Sequence, residues 1–286
     1  MISFKQLVRL ASLSLALIAV PALAADESPH IVAMKIAGKG AIIDPGAPFW
    51  KKAPATMVAM LPQTVALPNN AEPAISTLSV RAVHNGEFLA FLIEWDDASK
   101  NDRIVVQDFG DQVAVELPVR YQPDNPPNVM MGGPDGMVTI MQWRAAFQRD
   151  LDQGAPKTIN DLYPNAHTDV YPDQVLLTTD AISYMGALTM GNPVSRALRS
   201  PVLDQMAEGF GTLTVKPQQS AVGKGVWSNG KWHVVIARPL HAASLVDPDL
   251  QPGAETLAAF AVWDGGAKEV GARKAWADWV PLTLAK

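Results

Sequence analysis

The chain has 286 residues, 48% hydrophobic and 18% charged, with a formal net charge of −5 and no cysteine. The missing cysteines exclude a covalently attached c-type haem, a cysteine-ligated iron–sulfur cluster and any disulfide. The negative balance argues against nucleic acid and anionic membranes as partners, because both reward clustered lysine and arginine.

Residues 1–24 read as a cleavable secretory signal. Lys5 and Arg9 give a positive start, residues 10–20 an apolar stretch, and Ala22-Leu23-Ala24 small residues before a cleavage point. The apolar stretch is short for a bilayer, and no later segment approaches the length of a membrane helix. The expectation is a periplasmic protein with no membrane span in its mature form. No twin arginine is present, so export should proceed unfolded, with any cofactor acquired afterwards. Residues 25–286 suit a single domain of this size.

Short apolar stretches punctuated by 23 prolines and 20 glycines predict an all-β fold: one β-sandwich with long loops and a few short helices. Residues 78–83 and 87–95 should form a hairpin about Asn85-Gly86, and strands are expected at 112–117 and 138–143. Residues 152–195 have mixed polarity and no sustained period, so they read as an irregular excursion with short helices. Residues 201–208 read as one or two helical turns before Gly209-Phe210-Gly211, with a strand at 211–215. A second hairpin, 222–227 with 231–238, turns at Asn229-Gly230, and the last strands fall at 256–263 and 279–284. Asn-Gly suits such turns because both residues tolerate positive φ.

The five histidines show no zinc spacing and no bis-histidine pattern; His233 is the best histidine candidate for a metal ligand. Asp96-Asp97 and the pair Asp108 and Asp111 read as turn and capping acids, since a calcium loop needs a denser run of oxygen ligands. No Ser-His-Asp order, phosphate loop or metalloprotease motif is present, so the chain is not expected to be catalytic alone. The eight tryptophans are expected mostly in the sandwich core. They could also line a sugar groove, so a haem-free carbohydrate-binding module remains an alternative reading.

Several stretches carry a resemblance by their order and spacing. They are Phe91-Leu92-Ile93-Glu94-Trp95-Asp96-Asp97, Phe109-Gly110-Asp111-Gln112, Met131-Gly132-Gly133 leading to Gln142-Trp143, and Gly209-Phe210-Gly211. Gly225-Val226-Trp227-Ser228-Asn229-Gly230-Lys231-Trp232 and Ala261-Val262-Trp263-Asp264-Gly265 complete them, followed by Lys274 and Trp279. From roughly residue 49 to 284 the chain resembles the haem b-binding γ subunit of the family of ethylbenzene dehydrogenase, dimethyl sulfide dehydrogenase, chlorate reductase and selenate reductase. Ala275-Trp276-Ala277-Asp278 departs from the small residues and serine more usual there.

The resemblance implies one non-covalent haem b whose iron is held by Met131 and Lys274. It also implies a molybdopterin catalytic subunit and an iron–sulfur subunit as partners. Electrons would pass between the iron–sulfur subunit and an external carrier, such as a c-type cytochrome or a quinone-linked protein. A stand-alone periplasmic haem protein is the alternative within the same chemistry. Met130 offers the same thioether, and strand alternation would point only one of the pair inward. Gly132 and Gly133, by allowing close approach of a flat macrocycle, favour Met131. Lys216, Lys224 and Lys268 are the rival lysines. Arg144 and Arg238 could pair with haem propionates, with Trp143 beside Arg144 as a further cofactor contact.

Overall fold

The computed structural model describes residues 28–154, 163–165, 187, 190–195 and 198–286. The expected export signal, His167 and most of the 152–195 excursion lie outside the described residues. In chain order the strands begin β1 (Ile31–Lys35), β2 (Thr56–Ala59), β3 (Leu61–Pro62), β4 (Thr77–His84), β5 (Phe88–Asp96), β6 (Gln112–Pro118) and β7 (Val138–Arg144). Helix α1 (Ala145–Asp152) follows β7 directly, then β8 (Val202–Ala207), β9 (Thr214–Val215) and β10 (Val222–Ser228). The last strands are β11 (Lys231–Pro239), β12 (Glu255–Trp263), β13 (Ala275–Trp276) and β14 (Val280–Leu284).

Two sheets share one strand. The first runs β10-β11-β5-β4-β1-β14, with β1 parallel to both β4 and β14. The first half of β12 pairs with β14, and its second half leaves that sheet to pair with β6. From there the second sheet continues β6-β7-β8-β9. Side chains alternate across each strand. One face of the first sheet, with Val80, Phe91, Ile93 and Val234, therefore meets Val113, Val115, Met141 and Phe260 of the second in the main core. The chain is an all-β sandwich.

Both Asn-Gly hairpins form. Asn229 (φ 52) and Gly230 (φ 71) make the tight β10–β11 turn, while Asn85 Oδ1 accepts the N–H groups of Glu87 and Phe88 at the β4–β5 turn. Trp143 and Trp232 meet edge to face, 4.9 Å between centroids. Gly225 of β10 makes room for them, because a Cβ there would lie 2.1 Å from the Trp143 ring.

β5 is buried on both faces, which is why residues 88–93 read as a continuous apolar run rather than an alternating one. Its outer face, with Ala90 and Leu92, is covered by Ile42, Ala47 and Trp50 of the segment before β2.

The helical reading of 201–208 is overturned: the segment is strand β8, paired with β7. Asp204 and Gln205 are buried in it and hydrogen-bonded, so polar residues occupy positions that a hydrophobic pattern reads as surface. The strand expected at 211–215 shrinks to Thr214–Val215. Strands β3 and β13, two residues each, are too short to show a period.

Candidate functional site

The outer face of the second sheet carries the site. In β6, Val113 and Val115 point into the sandwich while Gln112, Ala114 and Glu116 point away; Ile140, Gln142 and Arg144 do the same from β7. Over this face lies a cavity of about 520 Å³, closed by the turns containing Met130-Met131, Phe210-Gly211 and Gly271-Ala272. That volume lies in the range of small-molecule and cofactor sites.

Met131 lines this cavity with a backbone in the left-handed region (φ 73), followed by Gly132 (φ 74). Such a φ is unfavourable for methionine and persists only where its surroundings fix it. The Gly132 N–H donates to the Asn128 carbonyl (2.8 Å), and the Met131 carbonyl accepts the Gly209 N–H (2.9 Å). The indole N–H of Trp279 reaches the Pro127 carbonyl (2.8 Å), tying this loop to the entrance of β14. Met131 packs against the cluster of Ala114, Val138, Ile140, Ala207 and Trp263.

Lys274 reaches the same cavity from the residue before β13, its Nζ 5.4 Å from the Trp263 ring centroid. Trp263 donates its indole N–H to the Gly271 carbonyl (3.0 Å), and Gln63 donates to the Ala272 carbonyl (2.9 Å). Both bonds hold the loop that presents the lysine. Burial pushes the Lys274 pKa down, with Glu116 opposing the shift. Glu116 is itself pushed up to about 8 by burial, partly offset by Lys274. Its Oε1 is buried without a hydrogen-bond partner among the described residues.

A polar strip crosses the floor. Gln142 donates to Gln112 (2.8 Å), and the Gln142 oxygen accepts from Gln205 (3.0 Å) and Arg144 Nη2 (2.9 Å). Arg144 Nε is buried with no partner among the described residues, and burial lowers the guanidinium pKa.

The profile of the ethylbenzene dehydrogenase family matches residues 47–275, most of the chain. The chain belongs to the ethylbenzene dehydrogenase family. Among the relatives of this family member is the chlorate reductase subunit gamma of Ideonella dechloratans, 25% identical over 86% of this chain and 81% of that one. Another, from Haloferax mediterranei, is provisionally named a respiratory nitrate reductase heme subunit (ORF7). It is 23% identical over 82% of this chain, which spans 66% of its length. A solved family 9 carbohydrate-binding module from Caldicellulosiruptor kristjanssonii, in complex with glucose, is 10% identical, with a TM-score of 0.41 over 90% of this chain and 96% of that one.

In this member of the ethylbenzene dehydrogenase family, Met131, Lys274 and Arg144 meet at one cavity. The other expected site residues lie elsewhere. Trp143 is fully buried on the core side of β7, with its back to the cavity. Arg238 is buried near Asp247, its Nη2 donating to the Pro248 carbonyl (2.8 Å). His233 pairs with Glu94 (2.7 Å) on β11, and Lys216 is bound by Asp204 and Asp247. Lys224 and Lys268 are exposed. Met130, by contrast, does line the cavity. The pair sits in a turn rather than a strand, so alternation does not separate them.

Gly132 is also required by the turn itself: a Cβ there would lie 2.8 Å from the Gly136 carbonyl and 3.0 Å from that of Ala207.

Glu116, Trp263 and the glutamines were not foreseen as site residues. The one available signal was an acid in the middle of the apolar strand Val113-Ala114-Val115-Glu116-Leu117.

The raised Glu116 pKa has a definite sign. The folded state holds a proton that the unfolded chain releases near its ordinary value, so this share of stability is complete below about pH 4 and is lost as pH rises through about 8. Denaturant titrations of the ligand-free protein between pH 5 and 9 should show stability falling with pH, and Glu116→Gln should flatten that slope.

Proposed function

We propose that this chain is an exported, periplasmic electron-transfer subunit that binds one haem b non-covalently and serves a molybdopterin-dependent oxidoreductase. The observation that carries the reading is the arrival of the Met131 thioether and the Lys274 amine, from loops far apart in sequence, at one largely apolar cavity. The residues present fit such a group. The walls are mostly carbon, desolvation at the half-buried Lys274 disfavours its proton, and Arg144 Nε is a buried N–H donor with no partner among the described residues. The names of the chlorate and nitrate reductase relatives support the same reading.

Haem supplies a one-electron iron couple when bound. Met131 would contribute a neutral, soft thioether, which favours the reduced metal, and Lys274 would contribute its free amine. Arg144 would offer a charge-assisted hydrogen bond to a carboxylate of the group. With both donors supplied by the protein, the chain would relay electrons and would not be catalytic alone. Its partners are a molybdopterin subunit, an iron–sulfur subunit and an external carrier such as a c-type cytochrome or a quinone-linked protein. The apolar stretch and small residues within residues 1–24 support export to the periplasm.

Haemin titration of the purified chain tests the proposal. One haem per chain with a low-spin b-type spectrum is expected, and Met131→Ala should abolish the low-spin form while Met130→Ala keeps it. A protein that stays colourless would overturn the function. Loss of the low-spin form with Met130→Ala and not with Met131→Ala would overturn the ligand assignment alone.

A further inference from the structure

Away from the cavity, three carboxylates from distant parts of the chain converge where β5, β6 and β12 begin or end. Asp97 follows β5, Asp111 precedes β6 and Asp264 follows β12, and one oxygen of each lies within 4.8 Å of the others. Asp111 is fully buried; its carboxylate accepts the N–H groups of Gly265 (2.9 Å) and Asn101 (2.7 Å) and the Trp232 indole N–H (2.9 Å). Asp97 is only 6% exposed. Its Oδ1 accepts the Ser99 N–H (3.0 Å), but its Oδ2 is buried with no hydrogen-bond partner among the described residues. Burial raises the pKa of Asp97, and the Asp264 charge adds to it; the Trp95 indole lies near enough to offset this slightly.

More oxygens lie beside Asp264. A Cβ built on Gly266 would lie 3.0 Å from both Asp264 Oδ1 and Ser99 Oγ, and 3.2 Å from Asn101 Oδ1. Three side-chain oxygens thus lie around Gly266, where the Ser99 hydroxyl donates to Asn101 Oδ1 (2.7 Å) and Asp264 Oδ1 accepts the Ala267 N–H (3.1 Å). The donors are all oxygen, which suits a hard cation. Buried carboxylates and few sites left for water suit calcium better than magnesium, which keeps several waters.

An unpartnered buried carboxylate oxygen beside two further acids is costly, and a cation removes both the desolvation and the mutual repulsion. A cleft lined by Asn101, Asp108, Gly265 and Gly266 adjoins the residues next to Asp264; of its cations Lys100 is paired with Asp102, and Arg103 and Lys268 also line it.

We propose that Asp97, Asp111 and Asp264, with Ser99 and Asn101 beside them, bind one calcium ion that ties together the ends of β5, β6 and β12. Two of these strands form the cavity wall: β6 carries Glu116, and Trp263 at the end of β12 immediately precedes Asp264. The ion would therefore brace the wall against which Lys274 rests. The inference is independent of what the cavity binds.

Calcium chloride added to the chelator-stripped full chain is the test, read by calorimetry and thermal melting with and without haem. The expected result is one ion per chain and a melting temperature raised by roughly 5 °C or more at a hundredfold excess over Kd. Asp264→Asn, at a half-buried position that a neutral amide can fill, should weaken calcium binding at least about tenfold, as should Ser99→Ala to a smaller degree. Asp249→Asn, in an exposed distant loop, should leave binding unchanged. No heat and no melting shift in the wild type would overturn the proposal, as would calcium binding by Asp264→Asn equal to the wild type.

Discussion

Lys274→Ala should abolish the low-spin spectrum of the haem-loaded protein and weaken haem uptake at least about tenfold. The variant removes the amine donor and also the cation beside Glu116, so its effect alone does not separate ligation from electrostatics. Lys274→Arg separates them. Guanidinium keeps a positive charge near Glu116 but does not deprotonate in proteins and offers no lone pair to a metal. A ligand role predicts that Lys274→Arg loses the low-spin form as completely as alanine does, while the ligand-free protein melts close to the wild type. A purely structural role predicts a preserved spectrum. The double variant Lys274→Ala with Glu116→Gln removes the stranded acid, and it should recover ligand-free stability without recovering the spectrum. Acid titration gives an independent readout. Burial has already lowered the Lys274 pKa, and protonation below it blocks the lone pair. The low-spin form should therefore give way on acidification in the wild type.

The elements most legible in the sequence are those whose cause is local. Asn85-Gly86 and Asn229-Gly230 announce their turns because the backbone conformation there is a property of two residues. β8 was illegible because Asp204 and Gln205 are satisfied by partners in other strands and loops, which no local pattern records. The site divides the same way. Met131 and Lys274 could be named from their place among family-like segments, yet Glu116 gained meaning only when Lys274 was folded over it. Asp97, Asp111 and Asp264 are each unremarkable in the chain; only the pairing of β12 with β6 and the closing of the sandwich bring them together. Trp263, buried in a hydrophobic cluster, and Trp279, packed against it, also use their indole N–H groups to fasten the two loops that carry Lys274 and Met131.

Lys216→Met should cost about 3–5 kcal/mol of folding stability, the expected penalty for breaking a buried ion pair from one side. Lys216 is 2% exposed, and its ammonium donates to Asp204 Oδ1 (3.0 Å), Asp247 Oδ1 (2.7 Å) and the Thr139 hydroxyl. One side chain thus joins β7, β8 and the loop after β11. Asp204 is the more demanding partner, because its Oδ2 already holds the N–H groups of Ser220 and Ala221 (each 3.1 Å) and the Ser220 hydroxyl (3.0 Å). Methionine fills the volume but removes the ammonium that bonds both buried carboxylates, leaving them only the more distant Arg238 charge. The melting temperature should fall by roughly 6–20 °C, and urea denaturation should show a lower midpoint at unchanged slope. Asp247→Asn should cost less, since Lys216 would keep its bond to Asp204 and the amide oxygen could still accept a hydrogen bond. Lys216 lies outside the cavity, so its loss should leave the spectrum of the folded, haem-loaded protein intact. Lys274→Arg should do the reverse, keeping stability and losing the spectrum. Only a lysine that serves as a donor to iron, and not merely as a buried counter-charge, produces that opposition.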